Sequence, residues 1–164
     1  MNRLRFGLRF VVCAALISTA VALAQQPATP QAGPIPQSIL AAQKAFVSNA
    51  GPVTEHISYY SGGPNRVYDE FYAALKASGK FEITGDPSDA DLVLEPRVMT
   101  EDGGGATLRL VIYDRKTHYV LWSLLEPIKP CVLQKACESN FEAALSARLL
   151  DFEKLTGKFP IAAH

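Results

Sequence analysis

The chain has 164 residues, 48% of them hydrophobic and 20% charged, with 16 basic residues balanced by 16 acidic ones. That composition supports a packed core and excludes the low-hydrophobicity profile of a disordered chain and the basic excess of a nucleic-acid binder.

The first residues carry a compartment signal. Arg3, Arg5 and Arg9 lead into the apolar run Phe10 to Val21, which ends in Ala22-Leu23-Ala24. A positive leader, a short apolar stretch and a small-residue end predict a secretory signal peptide over 1–24, cleaved after Ala24. The run is too short to span a bilayer comfortably, and no later segment approaches about 20 consecutive apolar residues, so no transmembrane segment is expected after cleavage. Phe10-Val11-Val12 precedes Cys13 where a bacterial lipoprotein signal would show Leu followed by small residues, which argues against a lipid anchor. Cleavage removes three basic residues and leaves 13 against 16 acidic, a formal charge of −3. Such a chain has no overall electrostatic footprint for nucleic acid or anionic lipid. Residues 25–36, "QQPATPQAGPIP", have little to bury and read as a disordered Pro/Gln-rich linker. A single domain over 37–158 follows, with a tail at 159–164, and the expected location is periplasmic or secreted.

Within the domain, "KAFVSNAG" (44–51) is a short apolar run closed by turn residues and predicts a first strand. Val67, Phe71, Ala74, Leu75 and Ser78 recur at helical spacing before Gly79, which predicts an amphipathic helix over 65–78. "FEITG" (81–85) reads as a second strand and Leu92 to Met99 as a third, with Pro96 requiring an edge or a bulge because it cannot donate to a ladder. "ATLRLVIY" (106–113) and "HYVLWSLLE" (118–126) predict a β-hairpin about the turn "DRKT", with Asp114 and Lys116 pointing into water. The triple glycine 103–105 fits a flexible loop before it. Ser139 and Glu142 form a capping-box pattern ahead of the stripe Phe141, Ala144, Leu145, Arg148, Leu149, Phe152 and Leu155, and Gly157 closes that helix. The order β-α-β-β-β-β-α predicts an α+β, two-layer fold: a mixed, mainly antiparallel sheet of four to five strands with two helices packed on one face. A crossover through the first helix would make one parallel pair.

Signals of chemistry are sparse. Cys131 and Cys137 are the pair left after cleavage, and an oxidising compartment makes a disulfide the leading reading. At a separation of six they cannot face each other on one continuous helix, so one must precede it. Redox catalysis would want a closer spacing and an activating base, and zinc would want further ligands. Asp86, Asp89, Asp91 and Glu95 cluster without an EF-hand pattern and have turn roles to explain them. Ser61-Gly62-Gly63 before a helix lacks a Walker or dinucleotide spacing, and acidic Asp69 and Glu70 oppose an anion there. His56, His118 and His164 are scattered. No metal, cofactor or catalytic residue is predicted.

The remaining signal is the second face of the hairpin. Pairing Tyr113 with His118, Val111 with Val120 and Arg109 with Trp122 collects an aromatic and basic set on one side. Leu108, Leu110, Ile112, Tyr119 and Leu121 fall on the other, helix-covered side. Arg109, Val111, Tyr113, His118, Val120 and Trp122 are therefore the candidate partner surface. "SDADLVLEPRV" followed by "LRLVIYDRKTHYVLWSL" resembles the small secreted and lipoprotein-borne domains of bacterial envelopes. The element order resembles the amino-terminal domain of TolB and the CsgG-like periplasmic domains. That resemblance implies a non-catalytic envelope binding or assembly module, with an envelope protein or glycan as partner and no catalytic residue carried over. The alternative is a small envelope hydrolase using the Asp86–Glu95 carboxylates or His118.

Overall fold

Period-two alternation along residues 92–113 builds the centre of the molecule. In the computed structural model, which describes residues 33–49, 51, 62–100 and 105–158, strand β3 (Leu92–Thr100) turns Leu92, Leu94, Pro96 and Val98 to one face. Its antiparallel neighbour β4 (Ala106–Asp114) turns Leu108, Leu110 and Ile112 to the same face, in register with Val98, Pro96 and Leu94. These side chains share one core with Val67, Phe71 and Leu75 of helix α2 (Arg66–Ser78) and Phe141, Ala144, Leu145 and Phe152 of helix α3 (Gln134–Leu155). Two helices on one face of a sheet is the predicted α+β arrangement. The predicted signal peptide 1–24, most of the predicted linker, the predicted tail 159–164 and His56 and His164 lie outside the described residues.

Two short strands complete the sheet. β1 (Lys44–Val47) lies parallel to both β2 (Glu82–Ile83) and β3, giving the order β2-β1-β3-β4-β5 with β5 at Val120–Ile128. The first strand thus has two parallel neighbours where one was expected. α2 ends as its sequence predicts: Gly79 adopts φ +63°, a left-handed conformation open to a residue without Cβ, and its N–H reaches the Lys76 carbonyl at 3.2 Å. Pro96 sits in an inner strand whose ladder to β4 runs past it without a register shift, so the expected edge strand or bulge is absent. β1 pairs with β3 only through Leu94, whose carbonyl accepts from Ser48 N at 2.8 Å. Alternation points the Pro96 nitrogen to that same side, beyond the last paired residue, where no ladder bond is lost.

Two further expectations are corrected. A short helix α1 (Gln37–Ala41) precedes β1 and buries Ile39 in the core; five residues carry too little periodicity to announce a helix. α3 starts at Gln134, so Ser139 is an exposed residue inside the helix and no cap. The reason is the disulfide: Cys131 precedes the helix, Cys137 is buried within it, and their Cα atoms stand 5.2 Å apart. Bridging anchors the extra turn from 134 onward. Arg148 holds its expected position in the apolar stripe of α3 because it finds an ion-pair partner there. It is buried, donates to Glu126 Oε2 at 3.1 Å on the edge strand β5, and also pairs with Asp151.

Candidate functional site

The hairpin β4–β5 sets which residues share the face away from the helices. Asp114 opens its turn: the carboxylate accepts from the amides of Lys116 at 3.0 Å and Thr117 at 2.7 Å and from the Thr117 hydroxyl at 2.8 Å. The Asp114 N–H then donates to the Tyr119 carbonyl at 3.0 Å, so the loop closes two residues later than a Tyr113–His118 pair would require. His118 takes φ +59°, a region a histidine tolerates better than most residues, and is exposed at the tip. A two-residue change alone would leave every side chain on its expected face. A bulge between Ile112 and Tyr113 adds one more residue, and the pairs become Tyr113 with Val120, Ile112 with Trp122, Val111 with Ser123 and Arg109 with Leu125.

That odd step turns Trp122 over. It lies opposite the fully buried Ile112 and packs, partly buried, against the helix-covered core together with Leu121 and Leu124. Tyr119, expected on the covered side, is 75% exposed. Of the predicted surface, Arg109, Val111, Tyr113 and Val120 do share the face away from the helices, while Trp122 does not and His118 stays in the turn.

The face away from the helices has members the hairpin alone could not supply. The register of β3 against β4 sets Val93 beside Tyr113, Glu95 beside Val111 and Arg97 beside Arg109. Glu95 pairs with Arg97 and accepts from the Tyr113 hydroxyl at 3.3 Å. Arg109 donates from Nε to the Ser123 hydroxyl at 3.0 Å. The result is a sheet surface of linked polar groups around buried Val111, rimmed by Val120 and Leu125, each 54% exposed. Alternation in "VLEPRVM" was the signal for Glu95 and Arg97, whose strand order only the fold reveals.

The carboxylates suspected of catalysis have structural work. Asp86 accepts from Ser88 N at 2.7 Å at the start of a short 3-10 helix (Pro87–Asp89). Asp91 Oδ2 accepts from the amides of Gln43 at 2.8 Å and Lys44 at 2.9 Å, joining the start of β1 to that of β3. The Ser88 amide, the Gln43 amide and the Thr117 amide hold Asp86, Asp91 and Asp114 respectively below the usual carboxylate range. Anions stabilised this way are poor general acids and weak bases. Asp91 and Asp114 also line a cavity of about 240 Å³ beside α1, with Ser38, Arg115 and Lys116. Among the described residues, no group of three or more His, Cys, Asp or Glu side chains is placed to hold a metal ion, and no helix is long and apolar enough to cross a membrane.

No protein-family model matches the chain, and no curated protein matches it. Among solved structures it is similar to a PelC dodecamer from Paraburkholderia phytofirmans, at 19% identity and a TM-score of 0.40 over 63% of this chain and 85% of that one. It is also similar to the C-terminal domain of LpoB from Salmonella enterica, at 14% identity and a TM-score of 0.39 over 54% of this chain and 84% of that one. TolB from Acinetobacter baumannii matches at 15% identity and a TM-score of 0.37 over 71% of this chain and 29% of that one. Similarity at this level carries no inference about activity or partner.

Proposed function

We infer that the protein is a non-catalytic binding or assembly module of the bacterial envelope, periplasmic or secreted, whose partner docks on the sheet face away from the helices at Arg109, Tyr113 and Val120, around the buried Val111. The observation that supports this most is the linkage of that face: Glu95 with Arg97 and Tyr113, and Arg109 with Ser123, hold polar side chains in fixed positions around an apolar centre. Prearranged polar groups beside exposed apolar rims lose little side-chain entropy on association, which suits recognition of a protein or glycan. The export leader and the Cys131–Cys137 bridge support the compartment. The hydrolase alternative needs a carboxylate free to move protons near His118, whereas Asp86, Asp91 and Glu95 are each occupied by backbone amides or an arginine.

The test is capture from envelope extract with the purified protein and its Arg109→Ala/Tyr113→Ala variant. A partner retained by the native protein and lost, by about tenfold or more, from a variant of unchanged urea midpoint is the expected result for a docking face. Equal capture by both proteins removes this face from the function.

A further inference from the structure

Among the described residues, the two most exposed large aliphatic side chains are neighbours. Val132 is 92% exposed and Leu133 is 73% exposed, in the loop between β5 and α3. Isolated surface aliphatics need no explanation, but this pair is held in place. The Cys131–Cys137 bridge closes the loop around it, and Asn140 Nδ2 donates to the Lys129 carbonyl at 3.1 Å at the loop's stem. Leu133 also occupies the N-cap position of α3, where its side chain satisfies no amide, although Ser, Thr, Asp or Asn would. The chain thus holds two aliphatic groups in water at a site where a polar residue would suit the fold better.

What surrounds the pair gives the charge of its partner. Exposed Lys129 and Lys135 stand on either side of it in sequence. The first turn of α3 has no acidic residue, so the positive end of the helix is not neutralised there. Glu138, a turn further on, is half-buried and accepts from Gln134 Nε2 at 3.1 Å. Aliphatic tips flanked in sequence by two exposed lysines match the boundary of an anionic bilayer, where acyl chains lie beneath a layer of negative headgroups. We propose that the disulfide-closed loop 131–137 docks the protein on an anionic lipid surface, with Val132 and Leu133 entering the acyl boundary and Lys129 and Lys135 meeting the headgroups. The formal charge of −3 on the cleaved chain provides no long-range attraction. Docking is therefore short-ranged, set by apolar insertion and two local cations, and reversible. It uses none of the residues of the sheet face away from the helices and does not depend on that reading.

The experiment is co-sedimentation of the exported, disulfide-bonded protein with vesicles of phosphatidylcholine alone and of phosphatidylcholine with about a third phosphatidylglycerol. Binding to the anionic vesicles, weaker on the neutral ones, is expected. Val132→Asp/Leu133→Asp should lower it by at least about tenfold, and Lys129→Glu/Lys135→Glu by several-fold with loss of the preference for phosphatidylglycerol. All four positions are exposed, so an unchanged thermal midpoint shows that folding is intact. Absence of binding to either vesicle, or binding that the Val132/Leu133 variant retains, overturns the proposal. Equal binding of the native protein to both vesicles overturns the anionic assignment.

Discussion

Asp91 shows how much of this fold a single side chain can organise. One carboxylate oxygen accepts two amides, from Gln43 and Lys44, and so ties the entry of β1 to β3 across nearly fifty residues of chain. Those amides, with the nearby Lys44 and Arg115 charges, favour the ionised form and lower its pKa from 3.8. A depressed folded value means that the unfolded state takes up a proton first on acidification. The contribution is therefore complete above pH 3.8 and disappears as pH falls through the lower folded value. Asp91→Ala should lower stability near neutral pH by about 1 kcal/mol, a small figure because solvent screens the carboxylate. Urea midpoints at neutral and strongly acidic pH check this, and the difference between the two proteins should shrink in acid. At the same scale, Cys137 is fully buried, so a thiol freed by Cys131→Ala would be shielded in the folded protein.

At the scale of elements, the hairpin was legible as a hairpin and illegible as a surface. The alternation of residues 106–113 and the turn chemistry of Asp114 specify two paired strands. A single bulged residue, invisible to alternation, decides which side of β5 meets the helices. Trp122 is the residue that reads out the difference. Because it packs beneath the helices opposite Ile112, Trp122→Ala should cost about 2 to 3 kcal/mol of stability, less than a fully buried aromatic since it is only partly buried. Arg109→Ala, on the other face, should change the urea midpoint by under about 1 kcal/mol. If the two variants proved equally stable, the bulge would be misplaced and Trp122 would belong to the face away from the helices. The start of α3 carries the same lesson: "SNFE" has the pattern of a cap, but the bridge to Cys131 favours an earlier turn.

For the whole molecule, compartment and covalent state belong together. The leader predicted from the sequence to end at Ala24 and the pairing of Cys131 with Cys137 both expect an oxidising space. The exported protein should begin at Gln25 and carry no alkylatable thiol under native conditions. Intact mass and N-terminal analysis decide this, and an N-terminus at Met1, a lipid adduct or two reactive thiols would count against it. The exposed pair at Val132 and Leu133 and the linked polar face on the sheet are the two separate surfaces proposed for docking.

The sequence by itself determined the α+β class, the helices over 66–78 and the later part of α3, the disulfide pair and the strand alternation. Each follows from local periodicity, turn chemistry or the few cysteines available. Only the tertiary structure decided that β1 lies between β2 and β3, that Trp122 faces the core, and that Glu95 and Arg97 join Arg109 and Tyr113 on one surface. Those outcomes depend on strand order and register, which are fixed by contacts between distant segments and by one extra residue in a ladder, and neither leaves a periodic trace in the chain.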